Sequence, residues 1–487
     1  DAVPLKLWGK FRWGDLILSV FWLYERTGDE SLLCLARKVQ RQGFDWERHF
    51  AEFPYPDKMR CPPGVHYGES ELSLSSHVVN NAMAVKYPAI WARLSGGPTA
   101  TAGEASSSMQ MIETLDRYHG QATGMFTGDE HLAGRSPSQG TELCAVAEYM
   151  YSMEWLLSLT GRAAYADRLE AIAFNALPAT FSPDMWTHQY DQQANQAVCR
   201  FSEERVYTNN GPDANLYGLD PNYGCCTANM HQAWPKFAAS LWMKNDEGLI
   251  AACYSPCTVN TRYAGTDVQI AVETDYPFRN TVRIKVVSSE KTGMRIRLRQ
   301  PGWCRHLTIR CADPSFRRER EGFYYVTEAD WHRGITLEVE IPMDASWETR
   351  YNESVTLKRG PLVYSLAIDE EWRDSARGRP YNEPPHGEWE LHPKSPWNVA
   401  VGRQAADDLT FAEHPVGEAP FSPEASPVST ELPARVVPGW TLERNAAGPP
   451  PKSPIDKTEA CEEEENVKLI PYGCTNLRIT EFPWYED

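Results

Sequence analysis

The chain has 487 residues, 42% hydrophobic and 23% charged, an ordinary globular balance with length for about three domains. Its 48 basic and 66 acidic side chains leave a net charge of −18, and with no Lys/Arg block nucleic acid is excluded as an expected partner. No run approaches eighteen apolar residues, so no membrane-spanning helix is expected. The chain opens Asp1-Ala2-Val3-Pro4 without the charged and apolar regions of a signal peptide. Its compartment stays open between the cytosol and a mature secreted state, or the chain is a fragment; its oligomeric state is open too. Seventeen Trp and 22 Tyr offer faces that stack on sugar rings and equally fill cores.

Residues 1–245 read as helical. Residues 16–24 form an apolar run leading to Thr27-Gly28-Asp29, and residues 153–159 repeat the grammar before Thr160-Gly161. A third copy is Ile90-Trp91-Ala92-Arg93-Leu94-Ser95-Gly96. Each is an amphipathic helix closed by Gly at its C-cap and followed by a second helix. Recurrent helical hairpins of this kind stack or close into a ring, as in α-solenoids and α/α toroids.

From residue 246 the period falls from 3.6 to 2. Residues 268–272, 282–286, 294–298 and 337–341 alternate apolar and polar between turn residues, as in an antiparallel sandwich. Residues 355–357 and 361–364 extend the pattern. Residues 370–465 are rich in Pro, Glu and Ala and carry few strand signals. Residues 467–472 and 477–480 read as strands again, a pair that returns to close the last domain. The expected division is 1–245, 246–345 and 346–487.

The chemistry concentrates in two short clusters, Glu142-Leu143-Cys144 and Gly224-Cys225-Cys226-Thr227-Ala228-Asn229. Three thiols and a carboxylate supply a complete ligand set for tetrahedral zinc. A thiolate is also a nucleophile. Neither cluster is a CxxC knuckle. Adjacent cysteines do not share one face of a strand, nor an i, i+2 pair one face of a helix, so the site calls for turns or helix ends. The local residues leave a second reading open, two buried cysteines and an unrelated Glu-Leu-Cys. The twelve cysteines read as mostly free thiols plus a metal set rather than a disulfide scaffold. The polar stretch 190–196 reads as a sugar-binding loop or as a plain turn.

Taken in order, Thr141-Glu142-Leu143-Cys144-Ala145, Leu159-Thr160-Gly161, Tyr165-Ala166-Asp167-Arg168-Leu169-Glu170 with Phe174-Asn175, and Gly224-Cys225-Cys226 with Asn229 resemble glycoside hydrolase family 127, the retaining β-L-arabinofuranosidases. Tyr254-Ser255-Pro256, Pro301-Gly302-Trp303 and Arg359-Gly360-Pro361-Leu362-Val363-Tyr364 are similar to that family's sandwich motifs. The resemblance implies an N-terminal (α/α)6-toroid catalytic domain followed by antiparallel β-sandwich domains. About seven or eight helices are legible before residue 245 where a full ring has twelve, so an incomplete ring is expected.

The same resemblance implies zinc held by Glu142, Cys144, Cys225 and Cys226, with Cys225 as nucleophile and Glu130 as acid/base. Asp129 competes with Glu130, because the stretch up to Glu142 is shorter than the family pattern. His77 and Glu170 match substrate-contacting positions, and Tyr190 joins them. The partner implied is an oligosaccharide or glycoconjugate. Cys-Cys-Thr replaces the family's Cys-Cys-Pro, which implies a divergent subgroup. From a different class, the alternative is a catalytically silent, zinc-stabilised sugar-binding relative.

Overall fold

A computed structural model describes residues 3–60, 70–96, 102–204, 206–218, 223–375 and 387–486. Cys61 lies outside them. Among the described residues, seven α-helices of nine or more residues precede residue 241, together with four shorter ones. Glycine ends two of the expected hairpins. Helix Trp13–Thr27 stops at Gly28 (φ 67°) and helix Leu143–Thr160 at Gly161 (φ 66°), and each cap N–H bonds back four residues. That left-handed turn is nearly free for Gly and costly for any other residue.

Helix Leu143–Thr160 is apolar nearly all round and is buried along most of its length, as a central helix must be. Helices Val78–Ala84, Ala163–Ala171 and Gly224–Ser240 pack around it. No helix among the described residues is long and apolar enough to cross a membrane.

The remainder is β. One five-stranded sheet runs Arg317–Glu321, Tyr324–Glu328, Arg295–Arg299, Gly248–Ala251, Trp242–Asn245. A second runs Thr308–Arg310, Ile335–Glu340, Thr281–Ser288, Thr266–Thr274, Cys257–Tyr263. Thr281–Ser288 alternates exposed and buried residues as its sequence predicts. Pairing in these sheets and the last one is antiparallel apart from Gly248–Ala251 beside Arg295–Arg299 and Val399–Gly402 beside Trp484–Tyr485. That last sheet has eight strands, and Glu465–Pro471 lies between Leu362–Leu366 and Val428–Val436.

Two expectations fail here. The stretch read as poor in strands contains Val428–Val436, nine residues in the interior of the eight-stranded sheet. Glu431 and Pro433 hide its pattern, although both Val428–Thr430 and Leu432 are buried. Residues 477–480 form no strand. Arg478 makes an isolated bridge to Gln196 of the helical part, and Thr480 N–H donates to Asn195 Oδ1 at 2.9 Å. The segment joins the helical region to the last sheet, where Ile479 O accepts from Leu366 N–H at 2.8 Å.

Candidate active site

A small four-stranded sheet builds one wall, in the order His131–Leu132, Gly128–Asp129, Gly140–Glu142, Asp191–Gln193. Strand Gly140–Glu142 runs directly into helix Leu143–Thr160, so Glu142 is the N-cap and Cys144 sits in the first turn. Helix Gly224–Ser240 follows N-cap Tyr223 and places Cys225 and Cys226 in its own first turn. All three thiols therefore stand at helix N-termini, where the unpaired N–H groups and the helix dipole favour thiolate. The requirement for helix ends is met in this way.

The ligand atoms of Glu142, Cys144, Cys225 and Cys226 all lie within 4.8 Å of one another, and the sulfurs of Cys144 and Cys226 are 3.3 Å apart. Glu142, Cys144 and Cys226 are buried, while Cys225 is exposed. The thiols of Cys144 and Cys226 lean on Cys225 and draw its pKa down to about 3. Burial, with Glu130 and Cys225 beside it, pushes Glu142 well up. Burial does the same to the Cys226 thiol. Four such donors cannot all be anionic at this spacing without a cation among them. The cluster could hold a metal ion. The eleven cysteines among the described residues are free thiols.

Glu130 is adjacent. It occupies the tip between the two-residue strands at φ 74°, a left-handed backbone that costs a non-glycine residue about 1–2 kcal/mol. Just before it Gly128 has φ 153°, and a Cβ there would come within 2.8 Å of the Val78 side chain. The turn aims Glu130 at the cluster, and its N–H donates to Glu142 Oε2 at 3.3 Å. Its Oε1 accepts from Tyr190 Oη at 3.0 Å and Asn210 Nδ2 at 2.6 Å. Asp129 is placed differently. It is fully buried, and its two oxygens accept the backbone N–H groups of Asn209 and Asn210.

His77 caps helix Val78–Ala84, its Nδ1 accepting from the N–H groups of Val79 and Asn80 at 3.1 and 3.3 Å. Nδ1 therefore carries no proton, and the Nε2–H faces Glu130 Oε2 at 3.5 Å. Burial, with Arg12 nearby, holds the His77 pKa well below the usual imidazole value. Trp8 meets the ring edge-on at 5.2 Å. His77, Glu130 and Glu142 form a second group of close ligand atoms, which overlaps the first through Glu142. Tyr190 is fully buried and stacks on Tyr223 with centroids 4.0 Å apart.

Glu170 does not join this group. It is fully buried, accepts from Tyr254 N–H at 2.8 Å and Tyr276 Oη at 2.7 Å, and pairs with Arg299 at 2.6 Å. Its carboxylate ties the helical part to the first sandwich, away from the four-donor cluster where a substrate-contacting Glu170 is expected. Stretch 190–196 is neither a sugar loop nor a plain turn. Beyond Tyr190 it is a buried scaffold, with Gln192 Nε2 bonding Ala176 O at 2.7 Å and Asn195 Nδ2 bonding Glu481 O at 3.0 Å. Asn209, Asn210 and Tyr223 escape the sequence reading. Thr208-Asn209-Asn210-Gly211-Pro212 signals a turn, but nothing local says that this turn reaches Glu130, eighty residues earlier.

A helical region whose four-donor cluster stands at helix N-termini, followed by β-sandwiches, is an α/α-toroid-type layout, and the comparisons with known proteins narrow it. The model for the β-L-arabinofuranosidase GH127 catalytic domain matches residues 9–239, and that for the GH127 middle domain matches residues 248–343. Together they cover well over half of the chain, which belongs to glycoside hydrolase family 127.

A non-reducing end β-L-arabinofuranosidase of Bifidobacterium longum subsp. longum is 25% identical over 238 residues, covering 46% of this chain. The matched stretch spans only 35% of that relative's length. A solved glycoside hydrolase overlays 96% of this chain and 74% of its own with TM-score 0.66 at 17% identity. A GH127 β-L-arabinofuranosidase from Geobacillus stearothermophilus T6 overlays 97% of this chain and 72% of its own, with TM-score 0.60 at 18% identity. At those identities the two structures speak for the fold: an α/α-toroid-type helical region followed by β-sandwiches.

Proposed function

We propose that the protein is a retaining glycoside hydrolase that removes non-reducing-end β-L-arabinofuranose, or a related uncommon sugar, from plant-type glycans. One observation carries the reading: Glu142 belongs both to the four-donor cluster whose exposed thiol is Cys225 and to the group that contains Glu130, whose N–H it accepts. Residues 1–245 form the catalytic part in this reading, with 246–345 and 346–487 as supporting β modules.

Zinc is the ion that the donors suit. Three thiols and a carboxylate favour it over magnesium or calcium. Tetrahedral Zn–S bonds of about 2.3 Å set donors ~3.8 Å apart, and the observed spread stays within 4.8 Å. Glu142, Cys144, Cys225 and Cys226 would hold it. Bound there, zinc would keep the Cys225 sulfur deprotonated near neutral pH.

The chain's own residues then divide the work. Glu130 gives its proton to the glycosidic oxygen as Cys225 Sγ attacks the anomeric carbon, so the C–O bond breaks while a C–S bond forms. The Glu130 carboxylate next takes a proton from water, the water oxygen attacks the same carbon, and Sγ leaves. Two displacements on one carbon retain its configuration. His77, through Nε2–H, and Tyr190 orient Glu130 and the sugar.

The test is release of 4-nitrophenol from 4-nitrophenyl β-L-arabinofuranoside, with no turnover by Cys225→Ser. A mechanism-based inhibitor should label the peptide containing Cys225. Label on Glu142 would mean a carboxylate nucleophile and a structural metal. Sugar binding without turnover across a panel of aryl glycosides would favour the silent binding relative.

A further inference from the structure

We propose that Asn210 is a positioning residue for the acid/base carboxylate, delivered by a strap, residues 208–213, that Asp129 pins in place. The inference rests on the reading of Glu130 as acid/base. Asn210 Nδ2 lies 2.6 Å from Glu130 Oε1 and 3.0 Å from Tyr190 Oη, which itself donates to Oε1 at 3.0 Å. An amide N–H only donates, so Oε1 is held as the acceptor of this triangle. The other oxygen, Oε2, is left facing His77 Nε2 at 3.5 Å. Asn210 and Tyr190 fix where the carboxylate points. Neither gives or takes the proton.

The strap is built to hold that amide. Both Asp129 oxygens accept Asn209 N–H at 2.8 Å, and Oδ2 also accepts Asn210 N–H at 3.2 Å. Charge-assisted bonds from backbone N–H groups hold a buried carboxylate in place. Asn209 Nδ2 donates to His131 O at 3.1 Å, which ties the strap to the strand after Glu130. Three residues further on, Asp213 accepts from Tyr223 Oη at 3.2 Å. Tyr223 is the N-cap of the Cys225 helix and stacks on Tyr190. One short loop thus touches both the element that carries the proton donor and the element that carries the nucleophile, and so fixes their separation. Asp129, the rival candidate for the acid/base role, serves as the peg.

The experiment compares kcat/KM on two aryl β-L-arabinofuranosides, one with phenol and one with 2,4-dinitrophenol as leaving group. Only the first needs a well-placed proton, and kcat/KM reports steps through the first bond cleavage. Asn210→Ala should lose about tenfold to a hundredfold on the phenyl glycoside and under about threefold on the dinitrophenyl one. Asn210→Asp, of the same shape, serves if the alanine variant fails to fold, and should show the same leaving-group dependence. Independently of activity, Asp129→Asn should speed amide hydrogen exchange in the peptide containing 206–213 while the core helices keep their protection. If the wild type is active and Asn210 variants slow both glycosides equally, or if Asp129→Asn leaves exchange unchanged, the strap inference is overturned while the hydrolase reading survives. If the wild type hydrolyses neither glycoside, the reading of Glu130 falls and takes the role of Asn210 with it.

Discussion

Cys144 and Cys226 are the buried sulfurs of a cluster that could hold a metal ion, whereas Cys225 is its exposed sulfur. Replacing Cys144 or Cys226 by Ala should therefore abolish stoichiometric zinc in protein purified without chelator and lower the melting temperature, because metal binding free energy is folding free energy where the ligands come from two helices. Metal analysis settles the point; a full equivalent of zinc in Cys226→Ala would remove Cys226 from the ligand set. Glu130→Gln should keep its zinc, since Glu130 reaches the cluster by its backbone N–H, which the substitution leaves intact. Loading apo protein near pH 7 should also release protons from the crowded thiols, which an unbuffered titration with indicator dye would register.

Element ends decide how the site is presented. Helix Leu143–Thr160 carries Cys144 at one end and stops at Gly161 at the other, and a Cβ on Gly161 would meet nothing within 4 Å. The cost of Gly161→Ala is therefore conformational, about 1–2 kcal/mol, and should appear as a lower denaturation midpoint with an unchanged m-value. A loss several times larger would mean that the turn supports packing not visible in its surroundings. Gly28 is the same case at the end of Trp13–Thr27. At the site the cap is His77, whose Nδ1 holds two backbone N–H groups and so commits the other nitrogen to Glu130. The helix start thereby sets the histidine's tautomer.

For the whole molecule, helix Ala163–Ala171 and strand Arg295–Arg299 are joined by a buried ion-pair triad. Arg299 pairs with both Asp167 and Glu170, and Arg299 and Glu170 are fully buried. Removing one partner of such a set leaves a charge unpaired out of water, which costs about 3–5 kcal/mol. Glu170→Ala should lose that much and should split thermal unfolding into separate helical and β transitions. A single transition with a loss under about 1 kcal/mol would return Glu170 to an exposed, substrate-facing role. The C-terminal segment is a second tie. Buried Arg478 donates to Gln193 O and Ala179 O, both at 3.0 Å, so the last residues of the chain brace the strand that pairs with Gly140–Glu142.

The sequence by itself determined what repeats locally. Gly28 and Gly161 announce helix ends because only glycine takes that turn cheaply, and the alternation in 268–272 and 282–286 announces strands because side chains on a pleat alternate faces. Cys144, Cys225 and Cys226 were legible as a set from residue type, since soft ligands of that kind rarely gather otherwise. Only the tertiary structure decided between Asp129 and Glu130 as the carboxylate aimed at the cluster, because both are acidic and adjacent and only the left-handed turn at Glu130 distinguishes them. It also moved Glu170 from the sugar to the domain interface, since its partners Tyr254, Tyr276 and Arg299 lie from 84 to 129 residues further along the chain. Val428–Val436 became a strand through pairing on both sides, which overrode Glu431 and Pro433. Asn210 was invisible for the same reason: an amide in a turn has no periodicity, and its meaning comes from the residue eighty positions away that the fold sets beside it.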